Sequence, residues 1–410
     1  MSMPRVQPRT VCVLRDGVCT HDVRPDVVVL SARSLTRESL PRLISLLPRL
    51  RTLTALDVSE CALGARDFAA IARGWAPLRR LAANHIVMHA ASAALLAALP
   101  GLCTLGVSGT ALRDTGATAI ACHATPSLRT LHMKRAELTN RGAAALSRCF
   151  SLEKLDVCSN FIGDAGAVAL AHAPALAELD IASNNVTWAG FAALVGSTSL
   201  RTLSIESNDV GRGAMVPALA RNTSLTALYA SSTCITDRAC SDIVRACGAL
   251  ESLSVQYNRL SAAGAAALAS SASLTRLDIC FNNICDAGAA ALAAAPSLAE
   301  LLVCFTGIRS AGVAALAGSS SITALNAAMT CNADDARAAT AAPLHFNFVL
   351  ERLTLGYVPH ECVRRAYTGR TRELLRARAL VCTSRACARG CQPWFATSPL
   401  WVLVSVARVL

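Results

Sequence analysis

Residues 151–170 read SLEKLDVCSNFIGDAGAVAL, and residues 273–292 read SLTRLDICFNNICDAGAAAL. Both follow the frame L-x-x-L-x-V/I-x-x-N-x-I-x-x-x-G-A-x-A-L. A period of this kind indicates a repeat architecture, in which each unit buries its apolar side only against its neighbours. The first apolar position of the frame recurs every 24–28 residues, at Leu53, Leu78, Leu102, Leu128, Leu152, Leu176, Leu200, Leu225, Leu250, Leu274, Leu298, Ile322 and Leu350.

The first half of each unit is predicted to be a short strand followed by a turn. Apolar and polar residues alternate over the first six positions, which favours a strand with one buried face. At the ninth position a side-chain amide can bond the backbone of its own turn and of the neighbouring turn. We therefore expect a ladder of stacked amides, with hydroxyls serving less completely in three units. The ladder would consist of Asn160, Asn184, Asn208, Asn258 and Asn282, with Thr110, Thr233 and Thr306 as the substitutes.

The second half of each unit is predicted to be a helix. The Ala-x-Ala-Leu segment is a good helix former. A polar residue two places before the usual glycine is interpreted as the helix N-cap. One strand and one helix per unit predict an α/β solenoid, a curved horseshoe with parallel strands on the concave face and helices on the convex face. The predicted caps are Asp114, Asn140, Asp164, Asp237, Asp286 and Ser310.

On these residues the chain resembles the leucine-rich-repeat superfamily over roughly residues 25–360. Its D-A-G-A-x-A-L segments are similar to the 24-residue GALA-type repeat, which is related to the ribonuclease-inhibitor class. The resemblance implies a non-enzymatic scaffold that binds another protein on its concave face and needs no cofactor. A surface or structural repeat protein is the other implied possibility.

GALA-type repeats also occur in effectors of plant pathogens, behind an F-box that recruits a ubiquitin ligase. Here the repeats begin near residue 25, which leaves no room for a separate F-box. A ligase adaptor or host-cell effector therefore remains an alternative function. The chain has two lysines, Lys134 and Lys154, against 37 arginines. Codon usage explains that bias, and selection against ubiquitin acceptors is the alternative.

The net charge of +12 comes from the two ends of the chain. Residues 1–51 carry nine arginines and four acidic residues, and residues 350–410 carry ten and three. Residues 52–349 are therefore neutral. A nucleic-acid binder carries its positive charge along the binding face, so we predict that the repeats do not bind nucleic acid.

The 18 cysteines mostly fall in repeat columns or presumed core positions, where free Cys acts as a small hydrophobe. Residues 1–20 contain Arg5, Arg9, Arg15 and Asp16 and no continuous apolar region, which argues against a secretory signal peptide. No uninterrupted apolar run reaches about 18 residues, which predicts no membrane span. We expect a monomer in a reducing, cytoplasmic compartment, or in the host cytosol if the chain is an effector.

The repeat frame predicts four segments. Residues 1–24 form an N-terminal extension, and residues 25–52 form a degenerate first repeat that caps the stack. Residues 53–360 form the leucine-rich-repeat solenoid. Residues 361–410 form an Arg- and Cys-rich C-terminal cap or tail.

Positions 3, 5 and 7 of each unit are predicted to face the concave side, because positions 4 and 6 point inward. They bring together Asp156, Glu178, Asp180 and Glu206, which we call the acidic patch. Lys154 offsets part of its charge. An uncompensated carboxylate cluster suggests a basic protein partner or a divalent cation, and a solvated face without a partner is the alternative. The same face is expected to present His132, Asp278 and Glu300.

Position 8 carries Tyr257, Phe281 and Phe305 in three consecutive units, which we call the aromatic stripe. Aromatic residues often dominate binding energy at interface centres. We hypothesise that the stripe and the acidic patch form one binding face. The alternative is that position 8 lies under the following loop as part of the core.

No catalytic or metal-binding motif is found in the sequence. None of the eight histidines stands in a motif with a nucleophile and an acid, and no Gly-rich phosphate loop is present. The spacing of Cys382, Cys387 and Cys391 fits no familiar zinc pattern. A catalytic site in this Cys-rich tail remains the alternative from a different functional class.

Overall fold

The computed structural model describes residues 11–13, 29–33, 44, 47, 50–74, 78–212, 219–327, 349–350 and 352–354. The chain divides into two compact units, Met1–Asn208 and Asp209–Leu410. The predicted tail, residues 361–410, and its cysteines lie outside the described residues.

The described part of the first unit contains nine strands of three residues, which pair in parallel and in chain order. The strands are β1 (Val11–Val13), β2 (Val29–Ser31), β3 (Ala55–Asp57), β4 (Arg80–Ala82), β5 (Thr104–Gly106), β6 (Thr130–His132), β7 (Lys154–Asp156), β8 (Glu178–Asp180) and β9 (Thr202–Ser204). From β3 onward, successive strands are connected through α1 (Ala65–Gly74), α2 (Ala90–Ala97), α3 (Arg113–His123), α4 (Asn140–Leu146) and α5 (Asp164–Ala171), and α6 (Trp188–Val195) precedes β9. Strand β1 lies inside the segment predicted as an extension, so the sheet begins before residue 25.

The second unit repeats this arrangement within its described residues. Its strands, also parallel and in chain order, are β10 (Ala227–Tyr229), β11 (Ser252–Ser254), β12 (Arg276–Asp278), β13 (Glu300–Leu302), β14 (Ala324–Asn326) and β15 (Arg352–Thr354). Its helices are α7 (Asp237–Ala246), α8 (Ala262–Ala269), α9 (Cys285–Ala293) and α10 (Ser310–Ala317), and a 3₁₀ turn spans Val210–Arg212. The predicted alternation of strand and helix is confirmed in both units.

The periodic leucines form the core between strands and helices. In the repeat that begins at Leu152, Leu155 and Val157 are buried together with Leu170 of α5. Burying one such side chain contributes about 1.5–3 kcal/mol. Because neighbouring strands are in register, Leu131, Leu155 and Leu179 form one continuous buried row.

The predicted amide ladder is confirmed. The Asn160 side-chain oxygen accepts hydrogen bonds from the backbone N–H groups of Ala136 and Leu138, both at 3.0 Å. Its NH₂ group donates to the carbonyls of Met133 and Val157, both at 2.9 Å. One side chain thus satisfies buried backbone groups of two neighbouring turns. A threonine supplies fewer bonds, as at Thr110, whose hydroxyl donates to Val107.

The predicted helix caps are wrong in one respect. Asp164 is the first residue of α5, and its carboxylate caps the following helix, α6. Its Oδ1 accepts from the Thr187 and Gly190 N–H groups, at 2.7 and 3.1 Å, and its Oδ2 accepts from the Thr187 hydroxyl at 2.6 Å. Thr187 is the N-cap of α6. The carboxylate serves the next helix because the start of that helix is stacked beside it.

The same link between neighbouring helices recurs along both units. An oxygen of the first- or second-position polar side chain in one helix accepts from backbone N–H groups at the start of the next helix. The links run from Asp114 to Thr139 and Gly142, from Asn140 to Gly163 and Gly166, from Asp237 to Ser261, and from Asp286 to Arg309 and Gly312.

The eleven cysteines from Cys61 to Cys304 are free thiols. Burial raises the pKa of Cys240 far above its ordinary value and raises the pKa of Cys247 to about 11. Cys122 and Cys285, in contrast, are exposed.

We therefore predict selective alkylation of the folded protein. Iodoacetamide at pH 7.5 should modify Cys122 and Cys285 at least tenfold faster than Cys240 and Cys247, because the thiolate is the reactive form. Peptide mass spectrometry over a time course measures the four rates. Denatured protein is the control, in which the four rates should converge, and comparable rates in the folded protein would contradict the prediction.

Candidate functional site

The acidic patch lies on the strand face of the first unit, beside both lysines of the chain. The Lys134 ammonium is 3.0 Å from an Asp156 carboxylate oxygen and 3.8 Å from an Asp180 oxygen. The Lys154 ammonium is 2.7 Å from a Glu178 oxygen. The expectation of an uncompensated cluster is therefore wrong, because the lysines of two repeats pair with carboxylates of the repeats that follow.

Partial burial and hydrogen bonds shift the pKa values of several groups in this network. Burial opposes ionisation of Asp156, but hydrogen bonds from His132 and Lys134 outweigh it and lower its pKa. The His132 Nδ1 atom is 3.3 Å from the Asp156 carboxylate. Burial and the nearby Asp156 charge raise the pKa of Asp180. Burial lowers the pKa of Lys134, but the bond to Asp156 and the carboxylate charges outweigh this and raise it.

The fourth member of the acidic patch, Glu206, is half-buried at position 7, just after β9. The acidic patch thus continues to the last strand of the first unit. Its first three carboxylates are paired with Lys134 and Lys154, so two of the four negative charges of the patch are balanced.

The strand face of the second unit contains one expected surface residue that is inaccessible. Asp278 is only 4% exposed. Its carboxylate accepts hydrogen bonds from the Gln256 amide and from the Cys280 N–H, the latter at 3.1 Å. The expectation that Asp278 offers a contact to a partner is therefore wrong. Glu300 remains partly exposed and lies 3.4 Å from the Arg276 guanidinium.

The aromatic stripe is a continuous stack of three rings on the surface of the second unit. The centroids of the Tyr257 and Phe281 rings are 4.0 Å apart, and those of Phe281 and Phe305 are 4.6 Å apart. The ring planes deviate by 10° and 15°. Tyr257 is 55% exposed and Phe305 is 47% exposed. The alternative that position 8 belongs to the core is therefore wrong.

Backbone conformation explains why position 8 faces outward. Tyr257, Phe281 and Phe305 have φ values of 51°, 56° and 54°, in the left-handed region. This conformation turns the side chain away from the core after the strand. Serine occupies the same column with the same conformation at Ser159, Ser183, Ser207 and Ser232.

Any residue with a Cβ atom is destabilised by about 1–2 kcal/mol in the left-handed conformation, so serine and the rings bear a similar cost. The turn itself does not require a ring, since serine serves in four other units. Three rings in this column therefore expose apolar area without a gain in packing against the core.

Sequence reasoning overlooked the arginines in the loops that carry the stripe. Arg259 follows Tyr257 by two residues, and Arg309 follows Phe305 by four. Both are exposed and have no ion pair with any described residue. Comparison of the loop columns across repeats would have revealed them in the sequence.

The described residues also bear on metal binding and on a membrane span. Among them, no group of three or more His, Cys, Asp and Glu side chains is arranged to hold a metal ion. None of their helices has the length and apolarity needed to cross a lipid bilayer.

Comparison with known families gives one match. A family model described as Leucine Rich repeat matches residues 148–171, 249–269 and 270–293. These ranges contain the two stretches that define the repeat frame. The search of curated proteins gave no match. The GALA-type and ribonuclease-inhibitor-like assignment stays a prediction.

Proposed function

The chain is a leucine-rich-repeat protein, and we propose that it is a non-enzymatic scaffold that binds a partner protein through the aromatic stripe. Leucine-rich repeats generally mediate protein–protein interactions. The finer assignment, to this surface of the second unit, is our own.

One observation carries the proposal: three rings are stacked and half-exposed on the surface, in a column that serine fills in four other units. Aromatic side chains are enriched at the centres of protein interfaces, and a few of them contribute most of the binding energy. Their exposure leaves apolar area that a partner would remove from water. The stack also holds each ring in place, so little side-chain entropy is lost on binding.

The strand face contributes polar contacts in this proposal. Its charges are already paired, by Lys134 and Lys154 in the first unit and by Arg276 in the second. Exposed pairs of this kind contribute about 0–1 kcal/mol each. We therefore assign the affinity to the stripe and not to the acidic patch.

We predict that Phe281→Ala combined with Phe305→Ala weakens partner binding at least tenfold, since interface rings contribute about 2 kcal/mol or more each. The fold should survive, because these rings lie outside the core. Affinity capture from an extract of the producing cells, with quantitative mass spectrometry, identifies the partner. Titration of the purified partner then gives both Kd values.

The matched control is Phe150→Ala combined with Phe161→Ala. These rings are 74% and 64% exposed and do not belong to the stripe. Far-UV circular dichroism checks the folding of both variants. Equal affinity of the folded stripe variant and the wild type would remove the proposed function.

A further inference from the structure

We propose that the aromatic stripe, together with the arginines of its loops, takes an acidic and hydrophobic peptide segment of the partner. This inference rests on the proposed function and specifies the chemistry of the partner. It reverses the expectation of a basic partner that the acidic patch suggested.

The loops that follow β11, β12 and β13 lie side by side and are joined by backbone hydrogen bonds. The Tyr257 N–H donates to the Cys280 carbonyl at 3.1 Å, and the Phe281 N–H donates to the Cys304 carbonyl at 2.8 Å. Residues of these loops therefore share one edge of the second unit. The three rings lie on this edge, at position 8 of their repeats. Arg259 and Arg309 lie further along the same loops.

The carboxylates on this edge are already used. Asp237 accepts hydrogen bonds from the N–H and hydroxyl of Ser261, at 2.8 and 2.5 Å. Asp286 accepts from the N–H groups of Arg309 and Gly312, at 2.7 and 2.9 Å. Each carboxylate is thus directed at the positive end of a helix and is partly neutralised there.

The arginines on this edge, in contrast to the carboxylates, are not neutralised by a neighbouring charge among the described residues. Arg238, Arg259 and Arg309 are exposed and have no ion pair with any described residue. With the carboxylates held at the helix starts, the edge presents positive charge beside apolar rings. A basic segment would meet like charges there, whereas carboxylates can form bidentate bonds with the guanidinium groups.

The stack also restricts what can contact the rings. Phe281 is covered on both faces by its neighbours, at 4.0 and 4.6 Å, so the stripe offers mainly ring edges. Nucleobases bind to aromatic platforms through open ring faces, which favours a peptide over a single-stranded nucleic acid. Aliphatic or aromatic side chains can lie against the edges. An extended segment of about three residues covers the stripe, since each residue advances about 3.3 Å.

The experiment pans a phage-displayed library of random 12-residue peptides on the immobilised full-length protein. The most enriched peptide is synthesised with a fluorophore, and its Kd is measured by anisotropy. We expect enriched peptides with two or more Asp or Glu residues beside Leu, Phe or Trp. The double variant Arg259→Glu with Arg309→Glu should weaken binding at least tenfold, and binding should weaken as salt rises.

The matched control is Arg135→Glu with Arg148→Glu, two exposed arginines that do not belong to the proposed site. This variant should change the Kd less than about twofold. Neutral or basic enriched peptides, no enrichment at all, or an unchanged Kd in the Arg259/Arg309 variant would overturn the inference. Tighter binding of a fluorescent 12-nucleotide thymidine oligomer than of any peptide would also overturn it.

The Phe281/Phe305 variant separates this inference from the proposed function. If the Arg259/Arg309 variant keeps the wild-type Kd but the Phe281/Phe305 variant loses binding, the inference fails and the proposed function stands. If the Phe281/Phe305 variant also keeps the wild-type Kd, the proposed function fails as well.

Discussion

Replacing Asn160 with Ala should lower the free energy of unfolding of the first unit by about 3 kcal/mol or more. The side chain bonds the N–H groups of Ala136 and Leu138 and the carbonyls of Met133 and Val157, of which the Val157 carbonyl also accepts from Asn184. Each buried group left without a partner costs about 1–3 kcal/mol. Urea unfolding followed by far-UV circular dichroism measures the change.

The matched control is Asn160→Thr, because the chain itself uses threonine in this column. Thr110 and Thr306 donate to Val107 and Val303 at 2.5 and 2.7 Å. Asn160→Thr should keep one hydrogen bond of this kind, from the side-chain hydroxyl to a backbone carbonyl. It should therefore lose less stability than Asn160→Ala. A loss below about 1 kcal/mol for Asn160→Ala, within the range of an ordinary single bond, would contradict the ladder as described.

Replacing Gly190 with Ala should destabilise the first unit by about 2–3 kcal/mol, the range of overpacked cores. An added methyl group would lie 2.6 Å from the Asp164 carboxylate oxygen and 2.7 Å from a methyl of Val186. These are far inside ordinary contact distance, so the link between α5 and α6 has to shift. The same unfolding measurement tests this expectation.

Gly248→Ala is the matched control, since nothing lies within 4 Å of its added methyl group. That variant should be neutral or stabilised by up to about 1 kcal/mol, because alanine reduces the entropy of the unfolded chain. Combining Gly190→Ala with Asp164→Ala should give less than the sum of the two losses, because both act on one contact. Additive losses would show that the carboxylate does not cause the clash.

The period of the sequence was enough to predict the strands, the helices and the buried rows. Leu152, Leu155 and Val157 are core residues because alternation within one unit already defines which side is buried. The amide ladder was predictable for the same reason, since an asparagine equivalent to Asn160 follows the strand in five units.

Features that depend on contacts between neighbouring units were predicted less well. The cap formed by Asp164 belongs to α6 and not to α5, because the stacking of helix starts decides which N–H groups are near. Lys134 was missed as a partner of Asp156 and Asp180, because the units were interpreted one at a time. The exposure of Phe281 and Phe305 follows from the left-handed backbone of position 8, which alternation does not reveal.

In each described hydrogen bond between helix starts, the N–H donor belongs to the later repeat and the side-chain acceptor to the earlier one. Asp114 serves α4, Asn140 serves α5 and Asp164 serves α6. During synthesis the N-terminal repeats leave the ribosome first, so each new helix meets an acceptor that is already in place. Repeats removed from the C-terminal side leave the remaining helix starts bonded. Repeats removed from the N-terminal side expose the next one, so trimming of the two ends has unequal consequences.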